Sequence, residues 1–266
     1  MMLDLGTDKI LAEVRGAVGW MTINNPARRN AISLDMWEAI AASFDAFARN
    51  SAVRCVVMQG AGDKAFASGA DISQFEQNRA NAEAAERYGE ISLATRQAML
   101  GIDKPVIAMI RGFCMGGGLG IALTADIRIT AEDGVFGIPA GRLGIAYDTL
   151  NLTNAVNLIG PSKAKEILFT AKRYSAAEAL AMGLVNEVVP VDALASAVEE
   201  ICARIAENAP LSIRASKLTI DELSKGRRDL DHDLIRSLII DCFDSEDYQE
   251  GRTAFMEKRK PVFQGC

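Results

Sequence analysis

The chain has 266 residues, of which 49% are hydrophobic and 24% are charged, the composition of an ordinary globular protein with ample material for a buried core. Its formal net charge of −6 argues against nucleic acid or an anionic membrane as the main partner. Five scattered cysteines without a Cys-x-x-Cys pair, and a single histidine, His232, argue against a disulfide framework and a metal site. No apolar run is long enough to cross a bilayer and no secretory signal is visible, so we expect a cytoplasmic protein.

The first half of the chain alternates predicted strands and helices. Strands are indicated by short apolar runs, of which the stretches that begin at Cys55 and Val106 are typical of a buried parallel sheet. Ser33 precedes a run with helical periodicity and is placed to cap it. The predicted order is two strands over 8–24, a helix after Ser33, a strand over 55–59, a loop over 64–71, a short helix over 72–79, a long helix to Leu100, strands over 106–110 and 127–130, and a loop over 134–144.

From Asp148 onward the pattern is mostly helical. The helices are amphipathic but too short to form a core of their own, so their apolar faces must pack on the rest of the chain or on another subunit. The sequence therefore predicts an α/β core over 1–190 and a helical C-terminal region over 191–266. The predicted helices are 149–159, 162–170, 176–182, 192–208, 211–225 and 230–243, with a short strand over 187–190.

Two glycine-rich loops follow predicted strands, Phe66-Ala67-Ser68-Gly69-Ala70 and Met115-Gly116-Gly117-Gly118. A strand, a glycine turn and a helix start leave backbone N–H groups pointing outward with no side chain in the way. Neither Gly-x-Gly-x-x-Gly nor a Gly-Lys-Ser/Thr ending is present, so a carbonyl oxygen fits better than a pyrophosphate. Two convergent N–H donors would stabilise an oxyanion or enolate, each by about 3–4 kcal/mol in the transition state.

These two loops resemble those of the crotonase (enoyl-CoA hydratase/isomerase) superfamily. Three further stretches agree with the family in the same order, so that the resemblance covers nearly the whole chain. They are Asn25-Pro26-x-x-Arg29-Asn30-Ala31-Ile32, the segment from Ala176 to Val189 that contains Met182-Gly183-Leu184-Val185-Asn186, and Glu250-Gly251-x-x-Ala254-Phe255-x-Glu257-Lys258-Arg259-x-Pro261-x-Phe263.

The resemblance implies an α/β crotonase-like fold, the ClpP/crotonase spiral of ββα units, with a C-terminal helical trimerisation region and trimers often paired into hexamers. It implies an acyl-CoA thioester as substrate, with no separate cofactor and no metal. By similarity, Ala70 and Gly117 supply the N–H groups of an oxyanion hole. The residues implied in CoA binding are Arg29 near the phosphates, Ala67 and Ser68 near the adenine, Gly69 beside them in the same loop, and Phe255 and Lys258 at the site of a neighbouring subunit.

Two departures from the family pattern concern proton transfer. Hydratases of the family have a glutamate three residues after the second oxyanion glycine and another in the loop that follows. This chain has Gly120 and Ala140 at those positions. Neither residue exchanges a proton, so hydration by two glutamates is not supported.

The remaining acidic candidate is Asp148, in Gly144-Ile145-Ala146-Tyr147-Asp148-Thr149. This stretch resembles the aspartate position of dienoyl-CoA isomerases, where the carboxylate moves a proton, and of chlorobenzoyl-CoA dehalogenases, where it attacks as a nucleophile. A dehalogenase also needs a histidine base and a stacking tryptophan, and the positions of His232 and of Trp20 or Trp37 do not suit those roles. Asp148 is also placed to cap the helix that begins at Thr149, and capping does not exclude catalysis.

The sequence therefore predicts an acyl-CoA enzyme that stabilises a thioester enolate and uses Asp148 for proton transfer, as an isomerase does. The alternatives are hydration or another lyase or hydrolase reaction through a different carboxylate, with Glu90 as the candidate, and a catalytically silent acyl-CoA-binding protein. Tyr88 and Tyr147 are weaker polar candidates. A peptidase on the related fold is disfavoured, because no serine and histidine occur at fitting positions.

Overall fold

The computed structural model describes residues 2–71, 82–225 and 229–266, and the short helix predicted over 72–79 lies outside them. The described part contains ten strands and ten α-helices. In chain order these are β1 (Ile10–Arg15), β2 (Val18–Ile23), α1 (Leu34–Arg49), β3 (Cys55–Gly60), β4 (Ala65–Ala67), α2 (Ala82–Leu100), β5 (Val106–Ile110), β6 (Phe113–Met115), α3 (Gly117–Ala122), β7 (Ile127–Ala131), β8 (Val135–Gly137), α4 (Ala140–Leu143), α5 (Thr149–Thr170), β9 (Tyr174–Ser175), α6 (Ala176–Ala181), β10 (Glu187–Val189), α7 (Leu194–Ala206), α8 (Pro210–Ser224), α9 (His232–Phe243) and α10 (Glu246–Glu257).

The main sheet has the strand order β1-β2-β3-β5-β7-β10. Its first pair is antiparallel, and the other pairs are parallel. Successive side chains of β3 face opposite sides, as the strand period requires. Val56 and Met58 join the large core that includes Phe44 of α1, whereas Val57 joins a smaller cluster with Val198 of α7. Because helices cover both faces of this sheet, the central strand β5 and the first four residues of β3 are entirely apolar, as the sequence predicted.

A second sheet, of order β4-β6-β8-β9, was not expected from the residues alone. Two segments that were predicted to be loops contain regular structure, so both predictions were wrong. The segment 64–71 contains β4, and the segment 134–144 contains β8 and α4. Strands of two or three residues carry no readable periodicity, and these form only because distant segments pair, as in Cys114 with Phe136. Gly112 permits the close approach between layers, since a Cβ built on it would lie 2.2 Å from the carbonyl oxygen of Lys64.

The helices between Thr149 and Phe243 agree with the predicted pattern, whereas β9 and α10 were not predicted from periodicity. The two helices predicted over 149–159 and 162–170 form α5, whose axis breaks at Gly160 (φ 73°, ψ 163°) before Pro161. β10 pairs with β7 and is followed by α7 to α10. Several large apolar side chains of α9 and α10 are exposed, among them Phe243 and Phe255. No helix among the described residues has the length and apolar character needed to cross a membrane.

Candidate active site

The two glycine-rich loops meet at the end of the second sheet. β6 ends in a turn at Gly116 (φ 50°, ψ −120°), and α3 begins at the next residue. A methyl group built on Gly117 would lie 3.6 Å from the backbone nitrogen of Ala70. The loop that carries Ala70 is fixed to Ile32, whose N–H donates to the carbonyl of Gly69 at 2.8 Å. The structure thus brings together the two residues to which the resemblance gives oxyanion roles.

The backbone N–H groups of Ala70 and Gly117 have no protein acceptor within residues 2–71, 82–225 and 229–266. Gly117 is the first residue of α3, where helical geometry supplies no acceptor for the N–H group. Both residues line the same cavity. Two free donors on one cavity wall can accept the oxygen of a thioester and stabilise the charge that develops on it.

The cavity has a volume of about 450 Å³, the size of a small-molecule pocket. Its wall is mostly apolar, with a few polar groups that converge on it. The residues that line it are Trp37, Ser68, Gly69, Ala70, Tyr88, Gly89, Ser92, Leu93, Arg96, Gly116, Gly117, Ile138, Pro139, Ala140, Leu143, Ile145, Ala146, Tyr147, Asp148 and Asn151.

Asp148 lies at the cavity and also caps α5, so both roles considered for it coexist. Its Oδ1 accepts a hydrogen bond from the backbone nitrogen of Asn151 at 3.0 Å. Its Oδ2 accepts from Nδ2 of Asn151 at 2.6 Å and forms an ion pair with the guanidinium of Arg96 at 3.1 Å. The Asp148 side chain is 40% exposed and that of Arg96 is 5% exposed. The carboxylate is therefore held in one orientation while part of it remains accessible.

The two positions at which the resemblance implies glutamates, Gly120 and Ala140, lie beside Asn151 and in the cavity wall respectively. A Cβ built on Gly120 would lie only 2.6 Å from Oδ1 of Asn151, so the Asn151 amide fills the space into which a longer side chain would grow. Asn151 is 1% exposed. Ala140, the first residue of α4, lines the cavity with no polar atom on its side chain. Neither position 120 nor position 140 therefore presents an ionisable group to the cavity.

The aromatic residues of the cavity correct one sequence prediction. The position of Trp37 in the sequence did not suit a stacking role at the substrate, but Trp37 lines the cavity. Its Nε1 donates to the hydroxyl of Tyr88 at 2.9 Å. The hydroxyl of Tyr147 donates to the carbonyl of Gly116 at 2.8 Å, and burial raises the pKa of this hydroxyl above its usual range. Glu90 is exposed and is not part of the described cavity wall. His232 is exposed on α9.

The residues implied in CoA binding fall into two groups. Ser68 and Gly69 line the cavity, and Ala67 is buried in β4 directly before them. Arg29 is exposed outside the cavity wall, and its guanidinium carbon lies 5.2 Å from the centre of the Phe113 ring.

The second group lies at the end of α10 and contributes nothing to this cavity wall in its own chain. Phe255 is 82% exposed, and Lys258 adopts a left-handed conformation (φ 55°) that ends the helix.

Sequence reasoning missed Arg96 and Asn151. The sequence does contain a signal that could have identified Arg96. Residues at three- and four-residue steps form one buried face of α2, namely Tyr88, Ser92, Thr95 and Met99. Arg96 is adjacent to that face and is a charged residue where an apolar one is expected. Asn151 gives no comparable signal, because its position opposite Gly120 arises from the packing of α3 against α5.

Comparisons with known proteins agree with this architecture. The sequence model of the family described as enoyl-CoA hydratase/isomerase matches residues 13–266. The short-chain-enoyl-CoA hydratase of Clostridium acetobutylicum is 34% identical over 95% of this chain and 96% of its own. The crotonyl-CoA hydratase of Syntrophomonas wolfei is 35% identical over 96% and 98%. A crystal structure of an enoyl-CoA hydratase/carnithine racemase from Magnetospirillum magneticum is similar, with a TM-score of 0.94, 37% identity, and coverage of 98% of this chain and 97% of that one.

The chain belongs to the enoyl-CoA hydratase/isomerase family of enzymes. The α/β crotonase-like fold that the resemblance implied is confirmed, including the presence of C-terminal helices. The relatives' names refer to hydratases, whereas no glutamate is among the described residues that line the cavity of this chain. The residues of this cavity, and not the family alone, therefore decide which reaction the protein can catalyse.

Proposed function

We propose that this protein acts on an acyl-CoA thioester, stabilises its enolate at the N–H groups of Ala70 and Gly117, and uses Asp148 to move a proton. The observation that carries the proposal is that the Asp148 carboxylate and these two free donors share one small, largely apolar cavity. Names of the relatives that refer to enoyl-CoA and crotonyl-CoA support the choice of substrate class. No cofactor besides the CoA moiety of the substrate is needed.

The reaction that best suits one carboxylate is double-bond isomerisation. Asp148 removes a proton from an acyl carbon, so that a C–H bond breaks and an O–H bond forms. The electron pair moves to the thioester oxygen, which the two N–H groups stabilise by about 3–4 kcal/mol each in the transition state. Return of the same proton to another carbon of the dienolate shifts the double bond, and no water is consumed.

A second candidate is a catalytically silent acyl-CoA-binding protein, favoured by Gly120 and Ala140 at the glutamate positions. Hydration through a different carboxylate is a third. Among the residues described at the cavity wall, Asp148 is the one carboxylate, and Glu90 is exposed outside that wall. These observations support isomerisation over hydration.

We also propose roles for the residues implied by similarity in CoA binding. Arg29 would contact the phosphates, and Ser68 and Gly69, with Ala67 behind them, would border the adenine. Phe255 and Lys258 would complete the CoA site of a neighbouring subunit in a homotrimer or a hexamer. The exposure of Phe255 and its absence from the described cavity wall of its own chain support this assignment.

The deciding experiment compares wild type with Asp148→Asn on a panel of crotonyl-, dienoyl-, 3-enoyl- and aromatic acyl-CoAs, followed by absorbance and by product mass. We expect wild type to isomerise a member of the panel and to hydrate crotonyl-CoA little. Asp148→Asn should lower kcat by at least about 100-fold, the range of general acid–base catalysis, while CoA affinity measured by calorimetry changes less than about twofold.

The other outcomes separate the candidates. Absence of turnover by wild type across the panel, with tight binding of CoA, would favour the silent binder. Rapid hydration of crotonyl-CoA would show that another residue replaces the glutamates. Full activity of Asp148→Asn would remove Asp148 from the mechanism. Glu90→Gln serves as a matched carboxylate-to-amide control, and we expect it to retain wild-type kcat.

A further inference from the structure

Arg96 is the one cationic residue among those described at the cavity wall, which is mostly apolar. It is 4% exposed and belongs to α2, between Leu93 and Met99. Burying a guanidinium is costly unless an anion compensates its charge. Its terminal nitrogen lies 3.1 Å from Oδ2 of Asp148, which supplies that compensation. The charge of Arg96 is thus directed at the carboxylate to which we assign proton transfer.

The Arg96 guanidinium also packs against the ring of Trp37. Its carbon lies 5.8 Å from the centre of the Trp37 ring, a geometry in which an aromatic face stabilises a cation. Trp37 is itself fixed by Tyr88 and by Thr95, whose Oγ1 donates to the Trp37 carbonyl at 3.1 Å. Nε of Arg96 is buried and has no hydrogen-bond partner among the described residues. The ring of Trp37 and the carboxylate of Asp148 therefore determine where the guanidinium lies.

The two carboxylate oxygens of Asp148 have different partners. Oδ1 caps α5 through the backbone nitrogen of Asn151, an interaction that begins the helix without help from Arg96. Oδ2 is contacted by the Arg96 guanidinium and the Asn151 amide. The contact with Arg96 is therefore not required for the start of α5, and it acts on the oxygen that does not serve as the helix cap.

We propose that Arg96 is a positioning residue for Asp148 and that its charge keeps the cavity electrically balanced during proton transfer. The inference rests on the proposed function. Before the step, the Asp148 carboxylate compensates Arg96. When Asp148 takes the proton, it becomes neutral and the negative charge passes to the thioester oxygen at Ala70 and Gly117. Arg96 and the enolate then share one cavity, so the step leaves no buried cation without an anion there.

The test uses the full-length protein and the panel member that wild type turns over. Arg96→Gln removes the charge, Arg96→Lys retains it on a different shape, and Arg204→Gln is the control, at an exposed arginine paired with Glu200 on α7. We expect Arg96→Gln to lower kcat by about 100-fold, as loss of positioning typically does, with KM and the Kd for free CoA within about threefold. The kcat of Arg96→Lys should be about tenfold higher than that of Arg96→Gln and about tenfold lower than that of wild type. The kcat of Arg204→Gln should equal that of wild type.

A chemical rescue distinguishes positioning from mere structural support. Arg96→Gln is assayed with guanidinium chloride and, in parallel, with urea of similar shape and no charge, each at about 50 mM, far below denaturing concentrations. Recovery with guanidinium but not with urea supports the proposal. Equal effects of the two, or wild-type kcat in Arg96→Gln while Asp148→Asn is inactive, would overturn it and leave the proposed function intact.

The experiment remains decisive if a variant is unstable. Thermal unfolding by circular dichroism is measured first, and if Arg96→Gln does not fold, the kcat and CoA affinity of Arg96→Lys carry the comparison. A folded Arg96→Lys with wild-type kcat and no change in KM would contradict a positional role for the planar guanidinium. Full turnover by Asp148→Asn is a different result, because it would overturn the proposed function and the role of Arg96 with it.

Discussion

Tyr147 connects the wall of the cavity to the turn that carries one of the two N–H donors. Its hydroxyl donates to the carbonyl of Gly116 at 2.8 Å, and Gly116 adopts φ 50° and ψ −120°, a conformation available to glycine. Because Gly117 follows directly, this single side-chain hydrogen bond helps to set the direction of the Gly117 N–H group. At the scale of one residue, the geometry of the oxyanion hole therefore depends on a group outside the glycine motif.

Replacing this residue tests that dependence. We expect Tyr147→Phe to lower kcat by about five- to tenfold, the value of one neutral hydrogen bond of about 1–1.5 kcal/mol, with CoA affinity unchanged. Steady-state kinetics and calorimetry measure the two effects. Tyr248→Phe, at an exposed tyrosine on α10, is the control. An unchanged kcat would show that the turn is rigid without the hydroxyl.

The same variant has an expected pH dependence. Burial raises the pKa of Tyr147, and a raised tyrosine pKa means that the neutral, donating hydroxyl persists beyond the ordinary value of about 10. The ratio of wild-type to Tyr147→Phe kcat should therefore be constant from about pH 6.5 to about pH 9.5. A ratio that falls toward one within this range would contradict the assignment of the hydroxyl as a permanent donor.

Helices α3 and α5 approach each other where Gly120 faces Asn151. The Asn151 side chain is anchored by Asp148 at 2.6 Å, and its Oδ1 is buried with no hydrogen-bond partner among the residues that the structure describes. A side chain at position 120 would collide with that oxygen. The spacing between these helices thus requires glycine at position 120.

A methyl group added at this contact should be destabilising. We expect Gly120→Ala to cost about 1–3 kcal/mol, as overpacking of a core does, and to lower the melting temperature by roughly 3–8 °C. The control is Gly251→Ala, where the added Cβ makes an ordinary contact of 3.5 Å with the Phe263 ring. Equal melting temperatures of Gly120→Ala and wild type would mean that Asn151 moves at little cost.

The same contact predicts the outcome of an attempt to restore hydration. Gly120→Glu with Ala140→Glu should not hydrate crotonyl-CoA, because Asn151 fills the space that the first glutamate needs. Hydration should appear only when Asn151→Gly is added to the pair of changes. The loss of absorbance of the enoyl thioester measures both variants, and activity of the double variant would contradict the packing argument.

The molecule as a whole leaves a set of large apolar side chains uncovered on its C-terminal helices. Phe243, Phe255 and Met256 are 59%, 82% and 80% exposed. All three side chains border one surface cavity, and exposed apolar surface of this kind is typical of subunit interfaces. It agrees with the trimer or hexamer proposed above, in which α10 would reach the cavity of a neighbour.

This assembly is tested by one charge in the apolar surface. We expect Phe255→Asp to dissociate the oligomer in sedimentation velocity and to raise KM for the acyl-CoA by about tenfold or more, since the CoA site would lose its second subunit. Met2→Ser, at an exposed apolar residue of the N-terminal segment, should leave both unchanged. A monomeric wild type with full activity would contradict the proposal.

The sequence by itself predicted the elements that carry a periodic signal. The strands that begin at Cys55 and Val106, the helix after Ser33 and the helices between Thr149 and Phe243 were predicted from their apolar patterns, whereas α10 was implied only by the resemblance. The paired glycine loops identified the family and indicated Ala70 and Gly117. Gly120 and Ala140 stand where the resemblance implies the two glutamates. Asp148 was predicted to transfer the proton because it is the remaining acidic residue at a position that resembles a catalytic position of the family.

Only the tertiary structure decided the features that depend on distant segments coming together. The second sheet consists of strands too short to show a period, and it forms by pairing across the chain. The ion pair of Arg96 with Asp148 joins residues that are far apart in sequence and adjacent in space. The occlusion of Gly120 by Asn151 is likewise a product of helix packing. Local sequence determines an element's periodicity and its caps, whereas the contacts between elements, and with them the electrostatics of the cavity, are determined only when the chain has folded.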